Sequence, residues 1–210
     1  TLIIEPAQLL IFMMAGLALN LTPGADMIFC LSQRLKSGPG TGFAASLGIA
    51  TGSVIHILLA AFGLAALIAA NPVAFELLRW AGVAYLVWLA IQALRNPMQN
   101  DLPENAKLSL PVGAWRDGVL VNLLNPKVIV FTLAFLPQFV DPQRGSTVLQ
   151  FLLLGLVLNV TGTMVNGFVG IGAGSVSGLL AGNKWIARAL GYMSSVVFLG
   201  LAAKLAFERR

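Results

Sequence analysis

The sequence predicts an all-α membrane protein with six transmembrane helices, arranged as two inverted repeats of three, in which spans one and four are broken at proline. Hydrophobic residues make up 58% of the chain and charged residues only 10%, against roughly 25% charged residues in soluble domains. Six apolar segments approach or exceed the roughly 20 residues that a helix needs to cross a bilayer. Open strands would leave backbone groups unpaired in lipid, so we expect every span to be helical.

The predicted spans follow the apolar segments in order. We expect the first to be a membrane span rather than a cleaved signal, because Glu5-Pro6 precedes it without a basic leader. Asn71-Pro72 separates the second and third spans, and Asp141-Pro142 separates the fourth and fifth. The six spans are 7–33, 41–70, 73–94, 115–140, 146–174 and 185–207.

One long polar connection divides the chain. Residues 96–113, NPMQNDLPENAKLSLPVG, hold three prolines, three asparagines and mixed charges, a composition typical of a surface linker. We therefore predict a first three-helix repeat at 1–95, a linker at 96–113 and a second three-helix repeat at 114–210. Three spans is an odd number, so the second repeat enters the membrane in the opposite orientation.

The two halves also resemble each other in sequence. LALNLTPGADMIF in the first span and VLVNLLNPKVIVF in the fourth each place Asn, Leu and a polar residue before a proline, with a charged residue after it. Spans two and five carry the pairs Gly48/Gly52 and Gly170/Gly174. Small residues at this spacing allow helix backbones to approach closely in lipid.

The two prolines mark breaks inside apolar spans. Thr22-Pro23 and Asn125-Pro126 both fit the pattern of a cap residue followed by the first residue of a helix. We therefore predict that each span consists of two half-helices, and that the second begins at the proline with its positive dipole end facing inward. Many secondary transporters hold an anionic substrate group in this way. The alternative is a proline kink that only shapes packing.

Asp26 and Lys127 are the charged residues well inside the predicted spans. A charge at bilayer depth costs at least ~2.5 kcal/mol on insertion scales, so it is expected to face a cavity, find a partner or serve a function. In a zwitterionic amino acid, the ammonium group would bind Asp26, and the carboxylate would bind Lys127 and the half-helix ends. The alternatives are a structural Asp26–Lys127 ion pair, or a Lys127 that snorkels to the interface.

Buried amides and hydroxyls could line the path, because polar groups in a membrane interior need partners. Asn20 and Asn122 are the strongest candidates since they lie beside the breaks, while other polar residues could equally pack helices together. We expect the sole histidine, His56, to have a packing role rather than to relay protons. The other lining candidates are Asn159, Thr163 and Asn166, and the predicted substrate-binding set is Asn20, Thr22, Pro23, Gly24, Asp26, Asn122, Asn125, Pro126 and Lys127.

Several classes of protein are disfavoured. One His and one Cys cannot build a metal site of usual spacing, and no Gly-rich phosphate loop with Lys-Ser/Thr appears. We therefore expect no enzyme activity, no cofactor and no direct use of ATP. The net charge of +5 lies mostly at the ends of apolar segments, which indicates contact with the lipid bilayer rather than nucleic acid.

The distribution of basic residues predicts the topology. The loops after spans one, three and five carry seven Lys or Arg residues, and the opposite side carries five. The positive-inside rule then places both termini outside the cytoplasm. The seven are Arg34, Lys36, Arg95, Lys107, Arg116, Lys184 and Arg188, and the five are Arg79, Arg144, Lys204, Arg209 and Arg210.

At these residues the chain resembles the lysine exporter / homoserine-resistance family (LysE/RhtB) along essentially its whole length. LTPGADMIFCLSQRLKSGPGTGFAASLGIATG is similar to the opening block of that family, and AGVAYLVWLAIQALR to its third span. GVLVNLLNPKVIVFTLAFLPQFVDP resembles its fourth-span signature, in which Asn-Pro-Lys is the most specific element. RALGYMSSVVFLGLAAKLA resembles its last span.

The resemblance implies a multi-pass protein of the bacterial inner membrane that exports amino acids or close derivatives, driven by the proton gradient. The matched motif positions are Pro23, Gly24, Asp26 and the triplet Asn125-Pro126-Lys127. Ala25 departs from the pattern, since many members carry a second proline there.

Three alternatives remain open: export of another small solute or cation on the same fold, a transmembrane thiol carrier, and a membrane partner protein that transports nothing. A thiol carrier needs a cysteine in each of two helices, and Cys30 is alone. Paired breaks with buried charges argue against the third alternative. The glycine spacing permits packing within the chain as well as a homodimer.

Overall fold

The computed structural model describes residues 3–64, 66, 71–95, 109–182 and 184–207, and most of the predicted linker lies outside them. The described residues form eight α-helices and no strand. The helices are α1 (Pro6–Leu21), α2 (Ala25–Ser37), α3 (Pro39–Leu59), α4 (Pro72–Arg95), α5 (Pro111–Leu123), α6 (Pro126–Val130), α7 (Thr147–Gly182) and α8 (Lys184–Phe207).

Proline marks the start of five of these helices, at Pro6, Pro39, Pro72, Pro111 and Pro126. The first position of a helix tolerates proline because its missing N–H would have no partner within the helix there. Since α5 begins at Pro111, the last three residues of the predicted linker 96–113 are helical.

Two helices continue in a different winding. A π-helical turn, Ala60–Leu64, extends α3. After α6 the chain passes through a π-helical turn, Phe131–Phe135, and then a 3₁₀ turn, Leu136–Phe139. A second 3₁₀ turn, Pro142–Arg144, leads to α7.

Two of the described helical segments, Pro39–Leu64 and Thr147–Gly172, are each long and apolar enough to cross a membrane. The pair α1 and α2 bends by 47°, and α5 bends by 51° against the segment Pro126–Phe139. If each bent pair is one span, up to four of the described segments are long and apolar enough to cross a membrane. Both predicted breaks are therefore confirmed. Helices α4 and α8 are each 24 residues long. Neither is among the two long apolar helices, and the part Gly191–Phe207 of α8 is a shorter apolar helix.

Helix α3 lies at the centre and packs against α5, α7 and α2, while α4 packs along α8. Glycines permit the closest approaches: a Cβ on Gly42 would clash with the Gly170 carbonyl, and one on Gly48 with the Trp115 carbonyl. The predicted use of Gly48 and Gly170 for close packing is confirmed. The side-chain surroundings of Gly174 lie outside the described residues.

A buried aromatic cluster forms part of the hydrophobic core. Phe12, Phe131, Phe135 and Phe139 are each at most 1% exposed, with ring centroids 4.6 Å apart for Phe131–Phe135 and 4.8 Å for Phe135–Phe139. The ring of Phe12 lies 5.1 Å from that of Phe139. We call these four residues the phenylalanine cluster. Large apolar side chains also point outward along the helices, as a lipid-facing surface requires.

We expect Gly42→Ala to lower the stability of the protein by roughly 1–3 kcal/mol, because the new Cβ would push α3 away from the α7 backbone. Gly40→Ala is the matched control, since a Cβ there meets nothing within 4 Å. Thermal unfolding of the two purified variants in detergent compares them directly. Equal melting temperatures for both variants would show that the α3–α7 contact is not tight.

Candidate substrate site

The first break lies between α1 and α2. The backbone N–H of Thr22 donates to the Ala18 carbonyl, and its hydroxyl lies 2.7 Å from the same carbonyl and 2.8 Å from Ser194 Oγ. Thr22 therefore closes the end of α1. The prediction that Thr22 caps a half-helix starting at Pro23 is wrong. Gly24 is extended and precedes the first residue of α2, Ala25, because glycine is disfavoured inside a helix.

The second break follows the predicted pattern. The Asn125 side chain accepts a hydrogen bond of 3.0 Å from the Lys127 N–H, and Pro126 is the first residue of α6. Asn125 is 3% exposed, so its cap is buried inside the protein. This prediction is confirmed.

Lys127 connects the two breaks. Its ammonium group donates to the Thr22 carbonyl at 2.8 Å and to the Leu19 carbonyl at 2.9 Å. These carbonyls lie at the end of α1, where no further helical turn supplies donors. A Cβ on Gly24 would lie 3.2 Å from Lys127 Nζ, so the small residue leaves room for the ammonium group.

Asp26 lies in the first turn of α2 and contacts α5 through Asn122. The Asn122 side-chain amide donates to one Asp26 carboxylate oxygen at 2.8 Å. The second oxygen, Oδ1, is buried without a hydrogen-bond partner, as is the Asn122 side-chain oxygen. The start of α2 also favours an acidic side chain at this position, because the first turn of a helix carries the positive end of the helix dipole.

His56 supports the end of α5. Its Nε2 lies 3.3 Å from the Asn122 backbone carbonyl, and since a carbonyl only accepts, the ring is the donor. His56 does not line the cavity described next. This contact agrees with the expected packing role.

A small cavity of about 30 Å³ lies where the broken spans meet α3 and α7. That is room for about two water molecules. Its lining includes six polar residues predicted from the sequence, together with Ser53 and Phe131, which sequence reasoning missed. The six are Asn20, Asp26, Asn122, Asn159, Thr163 and Asn166.

Most of the lining amides are held by hydrogen bonds to neighbouring helices. Asn20 donates to Thr161 Oγ1 at 3.0 Å. Asn159 donates to the Ala50 carbonyl at 3.2 Å and accepts from Thr163 at 3.1 Å. Asp26 Oδ1 and the Asn122 side-chain oxygen are the buried acceptors of this lining for which the described residues provide no hydrogen-bond partner.

The other predicted site residues lie beside the cavity rather than on its wall. Asp26 and Lys127 come from neighbouring half-helix starts, yet no ion pair within 4.0 Å joins them among the described residues. The predicted site residues absent from the cavity lining are Thr22, Pro23, Gly24, Asn125, Pro126 and Lys127.

The site offers binding groups rather than reaction chemistry. Among residues that the structure describes, no three His, Cys, Asp or Glu side chains converge as metal ligands. Cys30 is buried at 0% exposure, as a small apolar residue would be. Two broken apolar helices around a polar cavity, with the partly buried charged side chains of Asp26 and Lys127 beside the breaks, are features of the class of membrane transport proteins.

The chain belongs to the LysE type translocator family, which matches residues 17–209. It is therefore a multi-pass membrane protein and a transporter rather than an enzyme, as predicted. No solved structure matches the chain.

Three relatives have sequences similar to that of this chain. An uncharacterized membrane protein of Vibrio cholerae is 37% identical over 147 residues, 70% of this chain and 71% of the relative. A homoserine/homoserine lactone efflux protein of Salmonella typhi is 33% identical over 94% of this chain and 95% of its own. A leucine efflux protein of Salmonella choleraesuis is 27% identical over 93% of this chain and 92% of its own.

We expect Lys127→Met to destabilise the protein by about 3 kcal/mol, because two carbonyls of α1 lose a charged donor while most of the unbranched side chain is kept. Arg116→Met is the control, since the Arg116 side chain is 74% exposed. Thermal unfolding in detergent measures both. A Lys127→Met protein as stable as the control would mean that the two carbonyl contacts do not hold the break.

Proposed function

We propose that this chain is a secondary transporter that exports amino acids or close derivatives across the bacterial inner membrane, coupled to protons. The observation that carries the proposal is the unpartnered Asp26 oxygen at the cavity where the two broken spans meet. Relatives named for efflux of homoserine, homoserine lactone and leucine support an amino-acid substrate.

The ammonium group of the substrate would bind at Asp26. A buried acceptor without a partner costs about 1–3 kcal/mol, and the two such oxygens on Asp26 and Asn122 belong to side chains already hydrogen-bonded to each other. An ammonium group has three donors and no acceptor. It could satisfy both oxygens at once, which a neutral apolar solute could not do.

The carboxylate would bind on the side of the half-helix starts. Lys127 uses two of its three ammonium donors on the carbonyls of α1, which leaves one for the substrate. The Asn125 side-chain amide is also buried with an unsatisfied donor. In this proposal Thr22, Pro23, Gly24 and Pro126 shape the breaks, and Asn20 completes the wall of the cavity.

The packing pattern supports six spans in two inverted repeats, 1–95 and 114–210, joined by the linker 96–113. In this arrangement α4 and α8 are spans three and six. In this arrangement α3 and α7 are spans two and five, α5 begins span four, and α1 and α2 form span one. The contact of α3 with α5 therefore corresponds to the contact of α7 with α1 and α2, and both contacts are present. The pairs α3–α7 and α4–α8 map onto themselves when the two repeats are exchanged.

The cavity is too small for an amino acid in this conformation. With about 30 Å³, it must widen before a solute larger than about two waters can enter. Phe131 belongs to both the cavity lining and the phenylalanine cluster, so the cluster is the barrier on one side. In this proposal the close glycine contacts of α3 with α5 and α7 form the second barrier.

The remaining parts of the proposal concern orientation and coupling. Both termini would lie outside the cytoplasm, with the basic ends of α2 and α4 inside. Asp26 would carry the coupling proton when no ammonium group is bound, so that proton and substrate alternate at one carboxylate. Two copies of the chain could form a homodimer through lipid-facing helices.

We expect Asp26→Asn to lower the initial efflux rate by roughly 30-fold or more, because losing one charge-assisted contact costs about 2 kcal/mol or more. Asp117→Asn is the matched control, since Asp117 is paired with Arg116 at the surface. The rates are measured with everted membrane vesicles and a panel of labelled amino acids, after both variants are shown to reach the membrane. Full transport by the Asp26→Asn protein would contradict the proposed role of Asp26.

We expect an imposed proton gradient to drive accumulation of the substrate in vesicles containing the wild-type protein, and a protonophore to abolish it. In Asp26→Asn vesicles the gradient should have no effect. Accumulation that persists with a protonophore would contradict proton coupling. Failure of every labelled amino acid, with another small solute or cation accumulated instead, would favour the alternative substrate classes.

A further inference from the structure

A second pocket lies where the end of α4 meets the start of α8. It has a volume of about 280 Å³ and is lined by Ala93, Leu94, Arg95, Arg188 and Tyr192. None of these residues belongs to the proposed substrate cavity. We propose that this pocket binds the headgroup of an anionic phospholipid of the surrounding membrane.

The charge of the pocket selects an anion. Two of its five described lining residues are arginines and none is acidic. Guanidinium groups match the geometry of phosphate oxygens and can donate two hydrogen bonds to each. The Tyr192 hydroxyl adds a further donor. A zwitterionic headgroup would place its own cation near two guanidinium groups, whereas a headgroup with net negative charge would not.

The depth of the pocket fits a lipid rather than a soluble anion. Arg188 lies near the start of α8, three residues before its apolar part Gly191–Phe207, and Arg95 is the last residue of α4, so both lie near the end of an apolar segment. Leu94 is 47% exposed, and the aromatic residues Tyr192 and Trp185 are 63% and 76% exposed. Exposed Trp and Tyr beside basic residues are typical of the headgroup level of a membrane protein.

Arg95 and Arg188 would lie on the same face of the bilayer, because the end of α4 meets the start of α8 at this pocket. Arg188 and Tyr192 are four residues apart and therefore lie on one face of α8, toward α4, which packs along it. The lipid headgroup would then bridge spans three and six across the two proposed repeats. Basic pockets between transmembrane helices are the usual sites for acidic headgroups.

Native mass spectrometry of the purified full chain tests the proposal, with phosphatidylglycerol, phosphatidylethanolamine or inorganic phosphate added to detergent. We expect retained phosphatidylglycerol and much weaker retention of phosphatidylethanolamine. Affinity for phosphatidylglycerol should fall about fivefold in Arg95→Gln or Arg188→Gln and about 30-fold in the double variant. Arg116→Gln, which removes an exposed arginine paired with Asp117, should bind as the wild type does.

Three results would overturn the proposal. The double variant could retain phosphatidylglycerol as the wild type does, or both lipids could bind equally well. Inorganic phosphate could displace the lipid at millimolar concentration, which would make the pocket a site for a free anion. Size-exclusion profiles of all variants separate these outcomes from misfolding. Because the arginines lie at the surface, the lipid affinities of the single variants test the proposal if the double variant aggregates.

Discussion

The contact of Lys127 with the carbonyls of Leu19 and Thr22 is the interaction on which the rest of the structure depends. A helix that stops inside a membrane leaves carbonyls without donors, and lipid offers none. Lys127 supplies those donors from the other half of the chain, at the start of its own half-helix. One side chain thereby stabilises the end of α1 and links the two breaks to each other.

Two kinds of packing surround this contact, and they differ in how easily they deform. Helix backbones touch through glycine where α3 meets α5 and α7, and such contacts leave no side chains to rearrange. The phenylalanine cluster instead consists of four rings that can rotate about their own bonds. Motion that widens the cavity is therefore more easily accommodated on the aromatic side than on the glycine side.

Both breaks, the Asn125 cap and six of the seven polar residues that line the cavity could be predicted from the sequence, because proline, cap residues and polar side chains in apolar segments are visible in it. Sequence reasoning placed the start of α2 two residues too early, because Thr22 closes the end of α1 and Gly24 is extended, which leaves Ala25 as the first helical residue. It offered the substrate or Asp26 as partners of Lys127 and missed the carbonyls, since backbone acceptors have no sequence signal. Ser53 and Phe131 were missed because only the packing of distant helices brings them to the cavity.

The π-helical turn Phe131–Phe135 has a consequence for register. A π-helical turn holds about one residue more than an α-helical turn, and each residue of an α-helix rotates the chain by about 100°. Rewinding these five residues as α-helix would expel one residue and swing Phe139 away from Phe135 and Phe12. The packing of the phenylalanine cluster thus depends on one additional residue in this turn. A change from π-helix to α-helix here would rotate the following segment about the helix axis while the chain stays helical.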